Sequence, residues 1–214
     1  MNDSIFLNNI QNGQEKPDRP LRADALANRT HLLETAARLF AEDSVADVHM
    51  ERIALETGVG KGTLYRHFAS KGELCLALLD DQFRAFQNKM LAQIQQGTAG
   101  ETPQLEQLVR FLDAYVWFLD TYMPFMCEIE RGGLENLARS APYDWVNMTV
   151  KGLLQMAVAA GELPPGLDVP FWADMLLAPL SAPYFRFLRQ QRGFDPKRIS
   201  KNLRVLIYSQ QFAG

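Results

Sequence analysis

Two cysteines, three histidines and no long apolar run are the scarcities that bound this 214-residue chain. Cys75 and Cys127 are too few and too far apart to make a disulfide framework, which suits a reducing compartment and predicts a cytoplasmic location. No stretch approaches the roughly 18 apolar residues that span a bilayer, so no membrane partner is expected. The longest uncharged candidate, 175–185, is interrupted by Pro179 and Pro183. The first residues have no basic start followed by an apolar block, so no secretory signal is expected. His31, His49 and His67 are not spaced as a metal pair, and neither a nucleophile–base pattern nor a phosphate-cradling loop is visible. The sequence therefore predicts no enzyme, no catalytic residue, no cofactor and no metal. An enzyme on a helical scaffold and a redox-responsive regulator using Cys75 or Cys127 stand as the competing readings.

A second absence is local. Residues 59–71 hold Lys61, Arg66, Lys71 and His67 but no Asp or Glu, although the whole chain carries a net charge of -3. Residues 22–71 contain seven basic and seven acidic side chains, so positive charge is focused on one short stretch. Focused charge of this kind suits a polyanion.

What is present is almost entirely helical in pattern. Hydrophobic residues make up 47% of the chain, enough for a sizeable core. Residues 1–21 are rich in Asn, Gln, Asp and Pro and are expected to form a flexible arm, with a weakly held patch at Ile5, Phe6 and Leu7. Leu32, Leu33, Ala36, Leu39 and Phe40 recur at helical spacing and predict a first helix over 24–42. Short helices follow at 50–57 and 61–67, the first ending at Gly58. Ser70-Lys71-Gly72-Glu73 reads as a capping box that opens a long fourth helix to about Gln96. The glycines and proline of 97–103 mark a break. Beyond it the pattern predicts helices near 103–122, 125–140, 142–160, 170–192 and 196–211, punctuated by Pro124, Pro142, Pro164, Pro165 and Gly193. No strand pattern appears. The expected fold is all-α: a three-helix head over 22–70 and a larger helical domain over 71–214.

The sharpest constellation is Ala54, Gly58, Val59 and Leu64. Two helices that cross closely need a small contact residue, which Ala54 supplies, and a left-handed residue to end the first helix, which Gly58 supplies. Val59 and Leu64 anchor the turn and the second helix. A plain helical hairpin has the same spacing. The polar side chains favour a helix-turn-helix instead: Lys61, Thr63, Tyr65, Arg66 and His67 crowd one surface while Leu64 and Phe68 face inward. Lys61 and Lys71 suit phosphates, Tyr65 suits a phosphate oxygen, and Thr63 suits a base edge. Gly62 has no side chain to hold a groove away.

The run from Leu32 to Glu42, followed by Ile53-Ala54, Gly58-Val59-Gly60-Lys61-Gly62-Thr63-Leu64-Tyr65, His67-Phe68, Ser70-Lys71 and Leu74, resembles the DNA-binding domain of the TetR family. Ser44 stands where that family usually has Gly, Val48 and His49 where it has Thr or Ser, and Gly60 where it has Ser. The resemblance implies a homodimer that grips double-stranded operator DNA of roughly palindromic sequence. It implies DNA contacts from Lys61, Gly62, Thr63, Tyr65, Arg66, His67 and Lys71, with His49 and Met50 near the backbone. Arg22 and Arg29 are either further phosphate or minor-groove contacts or solvated surface.

For the larger half, the resemblance implies a cavity that senses a small apolar or amphipathic effector, most simply to relieve repression. Its expected lining is Phe111, Tyr115, Phe118, Tyr122, Met126, Trp145 and Met148; an ordinary core would have the same composition. Glu128, Arg131 and Asn147 are candidates for polar selection. The last two helices are expected to form the homodimer interface. Small Ala178, Ser181 and Ala182 would allow close approach, and Ile199, Leu203, Leu206 and Ile207 would form one apolar stripe. The basic residues from Arg186 to Arg204 would form a solvated rim.

Overall fold

A computed structural model describes residues 18–133 and 141–209, with side chains from residue 26 onward and from residue 142 after the gap. Residues 1–17 of the expected arm, with its patch at Ile5, Phe6 and Leu7, and the side chain of Arg22 lie outside the described residues. Every regular element described is helical. The chain order is α1 (Asp18–Glu42), α2 (Met50–Thr57), α3 (Lys61–His67), α4 (Lys71–Ala99), α5 (Gln104–Arg131), α6 (Ala141–Ala159), α7 (Val169–Leu177), α8 (Ala182–Arg186) and α9 (Pro196–Ser209). A 3₁₀ turn over Ala178–Leu180 joins α7 to α8, and a π turn over Phe187–Gln191 extends α8. The first helix begins at Asp18, within the stretch expected as arm.

Capping chemistry fixes several boundaries. The Ser70 hydroxyl accepts from the Glu73 N–H at 3.2 Å, and the Glu73 carboxylate accepts from the Ala69 N–H at 2.8 Å, so the predicted box opens α4. Asp168 accepts from the Phe171 N–H at 3.2 Å, with Pro170 in the first turn of α7. Glu162, in the α6–α7 connection, accepts from the N–H groups of Gln104 and Leu105 at 2.8 and 2.9 Å. A distant carboxylate thus satisfies two orphan donors of α5 and ties two segments together.

Helix α5 is the axis of the larger part and packs against α4, α6, α8 and α9. Sequence punctuation divides it at Pro124, but the helix runs through. A proline inside a helix forfeits one backbone hydrogen bond and costs about 3 kcal/mol. Pro124 is exposed, while Met123, Met126 and Ile129 around it are buried, so the packing on both sides outweighs that loss. The reverse correction applies to the helix expected over 170–192. Pro179 and Pro183 break it, and Ser181 between them is extended at φ -63°, ψ 140°. Two prolines four residues apart leave too few backbone donors for a continuous ladder.

The buried side chains form one connected cluster from Leu32 to Ile207. Phe40 of α1 meets Phe125 of α5 edge to face at 5.6 Å, so the head and the larger part share a core.

Candidate functional site: the helix-turn-helix head and the cavity behind it

Helix α2 ends at Gly58, which holds φ +73°, a conformation that costs other residues about 1–2 kcal/mol. The N–H of Gly58 then donates to the Leu55 carbonyl and that of Val59 to the Ala54 carbonyl, both at 3.1 Å. Ala54 is buried at the contact. Extended Gly60 begins α3, and Leu64 and Phe68 pin that helix to the core. This is the predicted helix-turn-helix.

The outward surface of α3 presents Lys61, Gly62, Tyr65 and Arg66. A Cβ added at Gly62 would meet nothing within 4 Å, so the backbone itself is open to approach. Thr63 is half-buried and accepts from the Arg66 guanidinium at 3.2 Å. Lys61 lies 3.6 Å from the Glu51 carboxylate in an exposed pair, a contact of little strength in water. Glu51 is held below the usual carboxylate range first by its own backbone N–H and then by Lys61. His49 is exposed at the start of α2 and makes no side-chain cap.

Three expected contacts are placed differently. Met50 is only 6% exposed, because the first residue of α2 turns into the head's core. His67, at the end of α3, is half-buried and faces a cavity behind the head. Lys71 is drawn inward: its ammonium donates to the Ala46 carbonyl at 3.1 Å and lies 3.6 Å from the Glu128 carboxylate. In this arrangement the ammonium is held on two oxygens of its own chain. Beside it, a Cβ on Gly72 would stand 3.0 Å from the Glu128 carbonyl oxygen, so α4 and the end of α5 approach backbone to backbone. A glycine in the first turn of a helix was the one sequence signal for this crossing.

The cavity behind the head measures about 740 Å³, within the range of small-molecule sites. Tyr115, Phe118 and Met126 line it, as expected from the sequence, joined by Phe83 and Leu119. The head contributes Arg29, His67 and Phe68, and the broken segment after α7 contributes residues 180–183. The Arg29 guanidinium sits 5.0 Å from the centre of the Phe68 ring. Burial pushes the Tyr115 hydroxyl far above its ordinary range, so it stays a neutral donor.

The remaining expected lining residues lie elsewhere. Tyr122 packs tilted against Phe118 at 4.7 Å and donates to Gln82 at 2.8 Å. Trp145 meets Phe83 and Phe111 at 5.9 and 5.8 Å, within the aromatic wall but outside this cavity's lining. Phe111 faces a second cavity, between α4 and α5. Met148 is 64% exposed and lines neither. The candidate polar selectors are engaged elsewhere too: Glu128 with Lys71 and Arg131, Asn147 with Asp174 at 2.8 Å. The polar groups on the cavity wall are Arg29, His67, Glu73, Asp80, Tyr115, Glu130, Tyr143 and Ser181. They come from six separate segments, which no local sequence pattern could join.

The last helices also differ from expectation. Ile199, Leu203 and Ile207 are buried within their own chain, where α9 packs on α5, and only Leu206 of that stripe is exposed. Arg186 and Arg189 are part-buried and pair with Glu130 and Asp120 of α5, whereas Arg204 pairs with Asp113 of α5 and stays exposed.

Residues 32–78 match the model of bacterial regulatory proteins of the TetR family. Over that stretch the chain is similar to this family. An HTH-type transcriptional regulator of Staphylococcus aureus (strain bovine RF122 / ET3-1) is 44% identical over 66 residues, which are 31% of this chain and 36% of that protein. The match thus spans about a third of that curated relative. Two solved structures extend the likeness to the fold of the larger part. The transcriptional regulator FadR from Bacillus subtilis, in complex with stearoyl-CoA, has a TM-score of 0.57 at 17% identity, over 85% of this chain and 98% of that one. A protein from Saccharomonospora viridis in complex with choline, assigned as a transcriptional regulator, has a TM-score of 0.61 at 21% identity, over 84% and 94%.

Proposed function

We propose that this protein is a ligand-responsive, DNA-binding transcription regulator, with repression as its basal action. Two copies associate through the last helices, using the exposed Phe171, Met175 and Tyr184 of α7 and α8 and Val205 and Leu206 of α9. Each α3 then enters a major groove of a palindromic operator. Lys61 and Arg66 take phosphates, Tyr65 donates to a phosphate oxygen, and Thr63 reads a base edge. A small apolar or amphipathic effector in the larger cavity releases the DNA.

One observation carries this reading: the cavity and the recognition helix share residues. His67 and Phe68, at the end of α3, form part of the cavity wall. An occupant therefore touches the element that reads DNA, and its differential affinity for two head positions sets the size of the switch. Proteins of the same fold in complex with stearoyl-CoA and with choline support a ligand role for such a scaffold. A thiol sensor at Cys75 is disfavoured because Cys75 is buried, with its thiol pushed up to about 12 by that burial.

The test begins with duplexes selected from a random pool by the full-length protein. The enriched sequence should be an inverted repeat whose affinity falls steeply with salt. Anilinonaphthalene sulfonate, an amphipathic probe that fluoresces when sheltered from water, should bind the protein and weaken the selected duplex. Failure to enrich any sequence sinks the DNA-binding reading. Unchanged DNA affinity at saturating probe sinks the switch.

A further inference from the structure

The second cavity, between the last third of α4 and the first turns of α5, has a volume of about 470 Å³. Its walls are partly apolar, from Met90, Ile94, Phe111 and Ala114. Its polar groups are of another kind from those of the larger cavity. Residues 86–99 contain no Asp or Glu, and Lys89 is their only charge. Among the described residues no carboxylate pairs with Lys89, whereas Arg110 opposite has Glu106 at 3.0 Å and Asp113 has Arg204 at 3.1 Å. The rim therefore carries one uncompensated positive charge.

Gln107 adds a second observation. It is 4% exposed and lines this cavity. Its amide N–H donates to the Thr102 carbonyl at 3.0 Å, which fixes which end of the amide is which. The other end, Oε1, is buried with no hydrogen-bond partner. It rests against Gly97, where a Cβ would stand 2.9 Å away, so the absence of a side chain there makes room for the amide. A buried acceptor without a donor is a standing cost of the kind that proteins rarely keep without a use.

We propose that this chamber is a second small-molecule site, distinct from the larger cavity, that takes a small carboxylic acid carrying its own hydrogen-bond donor. The carboxylate sits at Lys89, the apolar body lies along Phe111 and Met90, and the donor meets Gln107 Oε1 while the amide stays held on Thr102. This site stands whether or not the head binds DNA, because none of its residues belongs to α1–α3.

Hippurate, which has an aromatic body, an amide N–H and a carboxylate, is a suitable probe for the full-length protein. Calorimetric titration should show binding, with N-methylhippurate about tenfold weaker because it cannot satisfy Gln107. Lys89→Ala, at an exposed position, should weaken hippurate several-fold without changing the thermal midpoint. Gln107→Leu should remove the preference for hippurate over its N-methyl analogue. A crystal soaked with hippurate should place it between α4 and α5. Equal binding of the two compounds, no binding, or density for water alone in the chamber overturns the proposal. The comparison of the two probes on the unaltered protein keeps the test sound if Gln107→Leu fails to fold.

Discussion

The Lys71 ammonium lies 3.6 Å from the Glu128 carboxylate, with the two side chains 16% and 11% exposed, and this pair joins the start of α4 to the end of α5. Lys71 also holds the Ala46 carbonyl just before α2. One side chain thereby connects the head to the helix at the centre of the larger part. Lys71→Ala should lower stability by about 1–3 kcal/mol, since it strips a mostly buried carboxylate and a carbonyl of a donor. Chemical denaturation measures that loss. The salt dependence of DNA binding should keep its slope, because Lys71 is not on a phosphate; a slope reduced by about one unit would return Lys71 to the DNA surface.

Lys61→Ala should behave in the opposite way. Its ammonium is exposed and held only by a weak pair with Glu51, so folding stability should change by less than about 0.5 kcal/mol. Affinity for all duplexes should fall, and the salt slope should shrink by about one unit. Anisotropy titrations at several salt concentrations separate the two lysines.

Much of the head was legible in the sequence because its constraints are local. Gly58 ends α2 four residues after Ala54, and Ser70 with Glu73 opens α4, each over a span of a few residues. The contacts of Lys71 were not legible because its partners, Ala46 and Glu128, lie 25 and 57 positions away. Charge spacing alone cannot distinguish a lysine pointing outward from one folded onto a distant carbonyl. The cavity was half legible for the same reason. The aromatic positions of α5 show which residues are apolar, but only the crossing of α4, α5 and the segment after α7 decides which face the space. Pro124 misled because the sequence shows the lost hydrogen bond and not the packing that outweighs it.

Gly58→Ala should destabilise the protein by about 1 kcal/mol or more, although space is not the obstacle: nothing lies within 4 Å of an added Cβ. The cost is the left-handed backbone at φ +73°. Gly62→Ala, on the exposed face of α3, should be neutral or slightly stabilising as a helix residue while weakening DNA binding. Denaturation and DNA titration on the two variants give opposite orders if the assignment is right.

Cys75 provides a pH signature. Burial, the largest cause, raises its thiol from 9.0 to about 12, with Lys71 opposing and Glu128 adding to the shift. Between those values the folded state keeps a proton that the unfolded chain releases. Its contribution to stability is thus complete below about pH 9 and is lost as pH rises toward 12. Alkylation of native protein should modify Cys127, which is partly exposed beside Arg186, well before Cys75. Equal rates for the two thiols would contradict the burial of Cys75.

A filled cavity should report on the switch. Ala77 lines the larger cavity from α4, and Ala77→Trp places an indole in that space. The variant should lose binding of the amphipathic fluorescent probe, and its DNA affinity should no longer respond to it. Retained probe binding of full strength would place the probe elsewhere on the protein.

The uninterrupted run of α5 past Pro124 makes it one helix of 28 residues, about 42 Å long. At one tip lie Gln107 and its chamber; at the other, Glu128 and Gly132 bear on Lys71 and Gly72 beneath the head. The chamber and the underside of the head thus sit at opposite tips of one continuous helix.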